Sequence, residues 1–381
     1  MRRQDVHISG VGMTRFAKQP ERSVEELGTE AVLAALDDAG MSVADAQSEI
    51  DAVYVGSGYG GPLVGQRMLR RLGLTTRPVT NVENACSSSS SALNLAVRDI
   101  ASGQRRTVLA VGVDSLSRLG SGTLPLAEDD SEVRRGMTMP AVYAMRAERF
   151  LHERGATVED LARVVVKSRA HAAAHPLAHF QQETTLEAVL ESRPIATPLT
   201  LMMCSPRSDG GSAAVITAEA RPGSVRVLAS EIASGRLLSA NRDMTRSELS
   251  QRIATQAYEV AGVKPSEIDV AEVHDAFAIA ELMYYESLGW CEPGEASSML
   301  AAGETTFGGS VVVNAGGGLI SRGHPVGATG LGQVAELVWQ LRGSGPGRTV
   351  EGAELALAHC TGGGIGGLDH GACSVTILAA T

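Results

Sequence analysis

Two thiols and two imidazoles stand in settings where chemistry is possible. Cys86 follows the β-favouring run Val79-Thr80-Asn81-Val82 and precedes five serines, Ser87 to Ser91, that open a helix-patterned segment. A cysteine at a helix N-terminus meets the positive end of the macrodipole and unsatisfied backbone N–H groups, which lower its pKa and favour the thiolate. Far downstream lie His274 in Val273-His274-Asp275-Ala276-Phe277, His324 in Gly323-His324-Pro325-Val326-Gly327, and Cys360 in His359-Cys360-Thr361-Gly362-Gly363. The set predicts acyl transfer. A cysteine nucleophile forms a thioester adduct, and an imidazole such as His324 takes its proton.

The elements that must hold these residues alternate between strand-like and helix-like runs, which predicts an α/β protein with buried sheets. Val6 to Gly12 reads as a strand and turn, Val24 to Ala39 as a helix stopped by Gly40, and Ala52 to Gly56 as a second strand. An internal echo follows. After Cys86 come a helix over about 90–102, a turn and a strand at 108–112; after His324 come a helix over about 329–342, a Gly/Pro turn and a strand at 355–358. Two related halves would place the cysteine and the histidine at matching helix N-termini across a pseudo-dyad. Between them, residues 119–206 break the alternation with the acidic stretch Glu128-Asp129-Asp130, helical patterns at 141–154 and 158–174, and three prolines, and so read as an inserted subdomain. The best linker is Arg221-Pro222-Gly223-Ser224, which divides the chain into residues 1–222 and 223–381.

The 381 residues, net charge of −10 and pI near 5.5 exclude a broad nucleic-acid surface and leave only Arg70-Arg71 and Arg134-Arg135 as candidate phosphate contacts. Five scattered cysteines make no disulfide framework or zinc pair, so reduced thiols and a cytoplasmic location are expected. The twin arginine Arg2-Arg3 lacks an apolar segment behind it, no run is long enough to span a bilayer, and the C-terminus carries no peroxisomal tripeptide. Cys204, Cys291 and Cys373 read as small buried hydrophobes. His171, His175 and His179, spaced by four, hint at a metal site, but Pro176 interrupts their helix and no carboxylate or cysteine completes the set, so no metal is expected. The glycines of Gly56-Ser57-Gly58-Tyr59-Gly60-Gly61 match a dinucleotide fingerprint by spacing alone; a tight crossing at a cleft or dimer interface explains them better.

These motifs together resemble the thiolase superfamily, and within it the sterol-carrier-protein-2-type thiolases. The likeness rests on Asn84-Ala85-Cys86-Ser87-Ser88, His274-Asp275-Ala276-Phe277 and Gly317-Gly318-Leu319-Ile320-Ser321-Arg322-Gly323-His324-Pro325. Met139 to Met145, Ser192 to Ala196 and Ser208-Asp209-Gly210 add to it from the insertion. The chain departs from the subgroup at Ala276, where cysteine is frequent, at Met202-Met203-Cys204-Ser205 and at Asn314-Ala315-Gly316, which bears on substrate more than on reaction type.

The resemblance implies two five-stranded α/β halves stacked as five layers (αβαβα) with a loop subdomain. It implies an acyl-coenzyme A C-acyltransferase, acetyl-CoA acetyltransferase-like, that cleaves 3-oxoacyl-CoA by thiolysis or runs the reverse Claisen condensation. In this scheme Cys86 is the nucleophile, His324 its base, Cys360 the α-carbon acid/base and His274 the donor to the enolate oxygen. The acyl-enzyme oxyanion would bind the backbone N–H groups of Cys86 and Gly362, and His324 would also help to bind the thioester oxygen. No cofactor is bound permanently and coenzyme A thioesters are the substrates; the phosphate-binding residues are not legible. A homodimer or dimer of dimers is expected. The alternatives are a same-fold retro-aldolase or natural-product acyltransferase working with a small zinc-ribbon/OB-fold (DUF35-like) partner, and a non-catalytic lipid-binding or scaffold subunit.

Overall fold

The computed structural model describes residues 4–120, 122–126, 130–236, 243–364 and 370–381. The twin arginine and Glu128-Asp129 lie outside them. The strands are β1 (His7–Met13), β2 (Ala52–Gly56), β3 (Val79–Val82), β4 (Thr107–Ser115), β5 (Pro194–Ala196), β6 (Leu199–Thr200), β7 (Asp209–Thr217), β8 (Val225–Ala233), β9 (Val270–Glu272), β10 (Val312–Val313), β11 (Leu355–Gly364) and β12 (His370–Ala379). Apart from the β5–β6 hairpin they form a 10-stranded sheet in the order β10-β9-β11-β12-β8-β1-β7-β4-β2-β3.

That order contains the same topology twice. In β3-β2-β4-β7-β1 the strand β2 runs parallel to β3 and β4, while β7 is antiparallel to β4 and β1. In β10-β9-β11-β12-β8 the strand β9 runs parallel to β10 and β11, while β12 is antiparallel to β11 and β8. The internal echo is thus a repeat of topology. The two sets touch where the first strand of each, β1 and β8, pair antiparallel at His7–Arg226 and Ile8–Val225.

Helices cover the strands in five layers. α1 (Val24–Asp38), α2 (Val43–Glu49) and α3 (Val64–Leu69) lie on the outer face of the first set, and α4 (Ser88–Ala101) lies on its inner face. The insertion supplies α5 (Met139–Arg154) and α6 (Val158–Ala172), close to the predicted helices, and α7 (Leu186–Leu190), which the sequence pattern did not give. Beyond it come α8 (Glu248–Ala261), α9 (Ala278–Ser287) and α10 (Ala296–Ala301) on the outer face of the second set, then α11 (Thr329–Leu341) beside α4 in the shared middle layer. Alternation along β4 shows why both faces are filled. Leu109, Val111 and Val113 enter the core under α1–α3, whereas Val108 and Ala110 enter the middle core against α4 and α11. The insertion's helices share the outer core of the second set, with Phe150, Leu161 and Val165 packed in the same cluster as Leu249 and Leu282. Among the described residues no helix is long and apolar enough to cross a membrane.

α4 and α11 are built alike at their starts. A 3₁₀ turn over Ala85–Ser87 leads into α4, and one over Val326–Ala328 leads into α11. Glycines let the layers close on these helices: a β-carbon on Gly56 would lie 2.4 Å from the Ser88–Ser89 backbone, and one on Gly330 only 1.9 Å from Ser90 Oγ. The middle layer therefore fixes the two helix starts relative to each other.

Candidate active site

Cys86 sits on a strained elbow between β3 and α4. The residue before it, Ala85, has a φ of +49°, a left-handed conformation that costs a residue with a β-carbon of the order of 1 kcal/mol or more. Local hydrogen bonds hold it there. Ala85 N–H donates to the Glu83 carboxylate at 2.6 Å, Ser88 Oγ–H donates to the Ala85 carbonyl at 2.6 Å, and Asn84 N–H donates to Ser88 Oγ at 3.0 Å. The serine run that read as a helix start is also a set of ties between the halves. Ser87 Oγ–H reaches the Cys360 carbonyl at 2.9 Å, and Ser89 Oγ accepts Leu331 N–H at 3.1 Å.

His324 enters from the matching turn. Its backbone N–H donates to Ser208 Oγ at 3.2 Å and its Nδ1 lies 2.7 Å from Thr329 Oγ1. The Thr329 hydroxyl gives its one proton to the Pro325 carbonyl at 2.9 Å, so it can only accept from the ring. Nδ1 therefore carries the proton and Nε2 keeps the lone pair that a base needs. Gly327 N–H donates to Asp114, whose buried carboxyl also receives Ser57 Oγ–H and the N–H groups of Gly58 and Tyr59. This one carboxyl joins the glycine-rich loop after β2 to the histidine turn. The fingerprint-like glycines thus wrap a side chain at the cleft, and nothing in their partners points to a nucleotide.

His274 follows β9 in a loop fixed from below. Asn314 Oδ1 accepts Val273 N–H at 2.9 Å, and the Asp275 carboxyl accepts Leu319 N–H at 2.6 Å, tying this loop to the 317–323 turn. The His274 and His324 rings meet edge to face with centroids 5.1 Å apart. Cys360 Sγ lies 3.4 Å from His274 Nδ1 and 3.1 Å from the Cys86 carbonyl. Cys360 is buried, with 1% of its surface exposed, beside the cleft-lining His274 and Thr361.

Cys86 Sγ and a ring nitrogen from each of His274 and His324 lie within 4.8 Å of one another. The same atoms could ligate a cation only by consuming the nucleophile. They converge on a cleft lined by Tyr59, Leu116, Leu126, Met139, Tyr143 and Phe277 among others, with Tyr143 stacked on Phe277 at 4.5 Å.

The electrostatics correct one expectation. The helix N-terminus was expected to lower the Cys86 pKa; instead burial, with Cys360 adding to it, pushes the thiol well above its ordinary value, against the Gly363 N–H and its own N–H, which favour the thiolate. Burial pulls the His324 imidazole down to about 4 and the Cys360 thiol up to about 12, and it drives His274 far below the usual imidazole range. The resting pair is therefore a neutral thiol and a neutral imidazole. The N–H beside the Cys86 sulfur belongs to Gly363, the neighbour of the expected Gly362. Gly362 has a steric duty as well, since a β-carbon there would stand 2.1 Å from the Asn84 carbonyl oxygen.

The remaining sequence candidates disperse. α6 ends at Ala172, and the three spaced histidines go to separate partners: His171 to the Asn314 carbonyl and Thr306, His175 to Glu336 at 2.9 Å, and His179 to Ser208 at 2.9 Å. Arg70-Arg71 and Arg134-Arg135 are exposed and do not line the cleft. Cys373 is buried, Cys291 is half-buried, and Cys204, half-buried against the core, also lines the cleft. Asp114, Ser208 and Thr329 were missed as supports. An acid at the end of the apolar run 108–113 was a visible signal for Asp114; the pairings of the other two are formed across the fold.

The chain matches the family model described as "Thiolase, N-terminal domain" over residues 6–190 and "Thiolase C-terminal domain-like" over residues 230–370. It is 40% identical over 371 residues to the benzoylsuccinyl-CoA thiolase subunit BbsB of Thauera aromatica, covering 94% of this chain and 95% of that protein. It is 36% identical over 400 residues to sterol carrier protein 2 of Gallus gallus, covering 98% of this chain and 71% of that protein. The solved Ltp2-ChsH2(DUF35) aldolase superposes with a TM-score of 0.85 at 28% identity, covering 100% of this chain and 99% of that one.

Proposed function

Because the chain belongs to the thiolase superfamily, in its sterol-carrier-protein-2-type branch, and is an acyltransferase enzyme, we propose that it cleaves or forms 3-oxoacyl-CoA through an acyl group on Cys86. The observation that carries the reading is the convergence of Cys86 Sγ with the His274 and His324 nitrogens on one cleft.

In the cleavage direction the Cys86 sulfur attacks the 3-keto carbon while its proton passes to Nε2 of His324. Starting from a neutral pair avoids burying a separated charge before substrate arrives. The Cys86 and Gly363 N–H groups, with Gly362 adjoining, hold the oxyanion. The bond to the α-carbon then breaks. The enolate oxygen takes a hydrogen bond from His274 Nε2–H, on the ring whose Nδ1 lies 3.4 Å from Cys360 Sγ. Cys360 gives the α-carbon its proton, and the released thioester is acetyl- or propionyl-CoA. A second coenzyme A thiol, deprotonated by Cys360, resolves the acyl-enzyme while His324 returns its proton to the departing Cys86 sulfur; condensation is the reverse. Residues 1–222 and 223–381 are the two halves that supply Cys86 and His324.

Incubation with acetyl-CoA followed by intact-protein mass measurement tests this reading: one acetyl group should appear on the parent protein and none on Cys86→Ser. An unlabelled parent protein would remove it. The structural likeness to an aldolase that includes a DUF35 protein supports a second reading, retro-aldol cleavage with a small zinc-ribbon/OB-fold partner. Aldol cleavage needs no acyl-cysteine, so the same measurement separates the two.

A further inference from the structure

The cleft wall beside His324 carries a cation that the acyl-transfer chemistry leaves unused. Arg207 lines the cleft, and its backbone bridges to that of His324 in a short parallel contact. Its guanidinium donates to the Leu116 carbonyl and, at 3.1 Å, to the Gly122 carbonyl. Nε is buried and meets no acceptor, and Arg207 forms no ion pair with a described carboxylate. The walls around it are mostly apolar, from Leu116, Leu124, Leu126, Met139 and Val326.

Arg207 is half-buried and its guanidinium meets only carbonyl dipoles, so its charge is left available to an anion that enters the cleft it lines. Its planar fork is matched to a carboxylate better than to a single oxygen. Asp114, the acid on the far side of the His324 turn, already receives its four donors, and burial raises its pKa, so it does not supply the counter-charge.

We infer that Arg207 is a specificity residue for acyl groups that carry a carboxylate, so that the preferred substrates are CoA thioesters of dicarboxylic acids. The inference deepens the thiolase reading by naming the substrate class of the same cleft, but binding tests it without turnover. Glutaryl-CoA and pentanoyl-CoA have acyl chains of equal length and differ at the end, carboxylate against methyl. Calorimetric titration of Cys86→Ala with each should give tighter binding of glutaryl-CoA by roughly 10- to 100-fold, the range of a charge-assisted hydrogen bond. Adding Arg207→Met should erase that preference while changing pentanoyl-CoA binding less than about threefold, and Arg207→Lys should keep part of it. Equal affinities in the Cys86→Ala protein overturn the assignment. So does an equal weakening of both ligands by Arg207→Met, which would mark the arginine as a clamp on the 116–122 loop or a contact to the coenzyme A they share. A preference in binding without acetylation of the parent protein would leave this site standing and remove the thiolase reading; acetylation without preference would do the reverse.

Discussion

The roles proposed for the two histidines rest on one contact each. In the proposed mechanism His324 is a base at Nε2 because Thr329 holds the proton on Nδ1, and it stays neutral because burial draws its pKa to about 4. His274, whose Nδ1 lies 3.4 Å from Cys360, is the proposed donor to the enolate and not the base for the nucleophile. His324→Ala should therefore impair both acylation by acetyl-CoA and 3-oxoacyl cleavage. His274→Ala should slow cleavage by about 10²–10³, the usual loss for one oxyanion donor, with a much smaller effect on single-turnover acylation. Cys360→Ala should accept the acyl group yet fail in thiolysis. Rapid-quench acylation and steady-state cleavage on the three variants check this; acylation abolished in His274→Ala but intact in His324→Ala would exchange the two histidine roles.

At the level of elements, the proposed catalysis depends on how α4 and α11 share the middle layer, since one begins at the proposed nucleophile and the other at its proposed base. They meet at Gly330 and Ser90, where an added β-carbon would lie 1.9 Å from Ser90 Oγ and 2.9 Å from the Ser90 nitrogen. Helices cannot relax locally at a backbone contact, so Gly330→Ala should push the two starts apart. The expected cost is about 1–3 kcal/mol of stability together with a loss of acylation rate. Urea unfolding and single-turnover acylation measure the two effects, and Ser90→Gly in the same chain should return part of each. A Gly330→Ala enzyme of parent stability and rate would show that the layer is looser than this packing requires.

Over the whole molecule, the stacked sheets bury imidazoles that stay neutral. His7, His171, His179, His274, His324, His359 and His370 all sit below the ordinary histidine pKa of 6.5, chiefly because burial penalises the charged ring. A lowered pKa means that the unfolded chain binds the proton first, so stability from these groups is complete above about 6.5 and falls as pH drops toward the folded values. Asp114, Glu272, Asp275 and Glu286 are raised by burial and act in the opposite sense above the ordinary carboxylate range, but they are fewer. The urea midpoint should therefore be lower at pH 5 than at pH 7, with net proton uptake on unfolding. A midpoint that holds or rises at pH 5 would mean that the buried carboxyls dominate.

Much of this was legible in the chain because it is written locally. The nucleophile's place between β3 and α4, the turn at His324 before α11, the strands at 52–56 and 79–82 and the helical stretch of the insertion all follow from short-range pattern and turn chemistry. The repeated order of elements was visible for the same reason. What the pattern could not carry were pairings between residues far apart: Asp114 gathering the 57–59 loop and Gly327, Ser208 under His324, the tautomer set by Thr329, and the edge where β1 meets β8. The Cys86 pKa turned the other way for a related reason. A helix terminus is a local field that a sequence reveals, whereas desolvation is a property of everything packed around the sulfur, and in this fold it prevails. Sequence alone determined which groups could react and which elements present them; only the tertiary structure decided which nitrogen holds the proton, which thiol faces the cleft and that Arg207 stands in its wall, because burial and long-range contact exist only once the layers close.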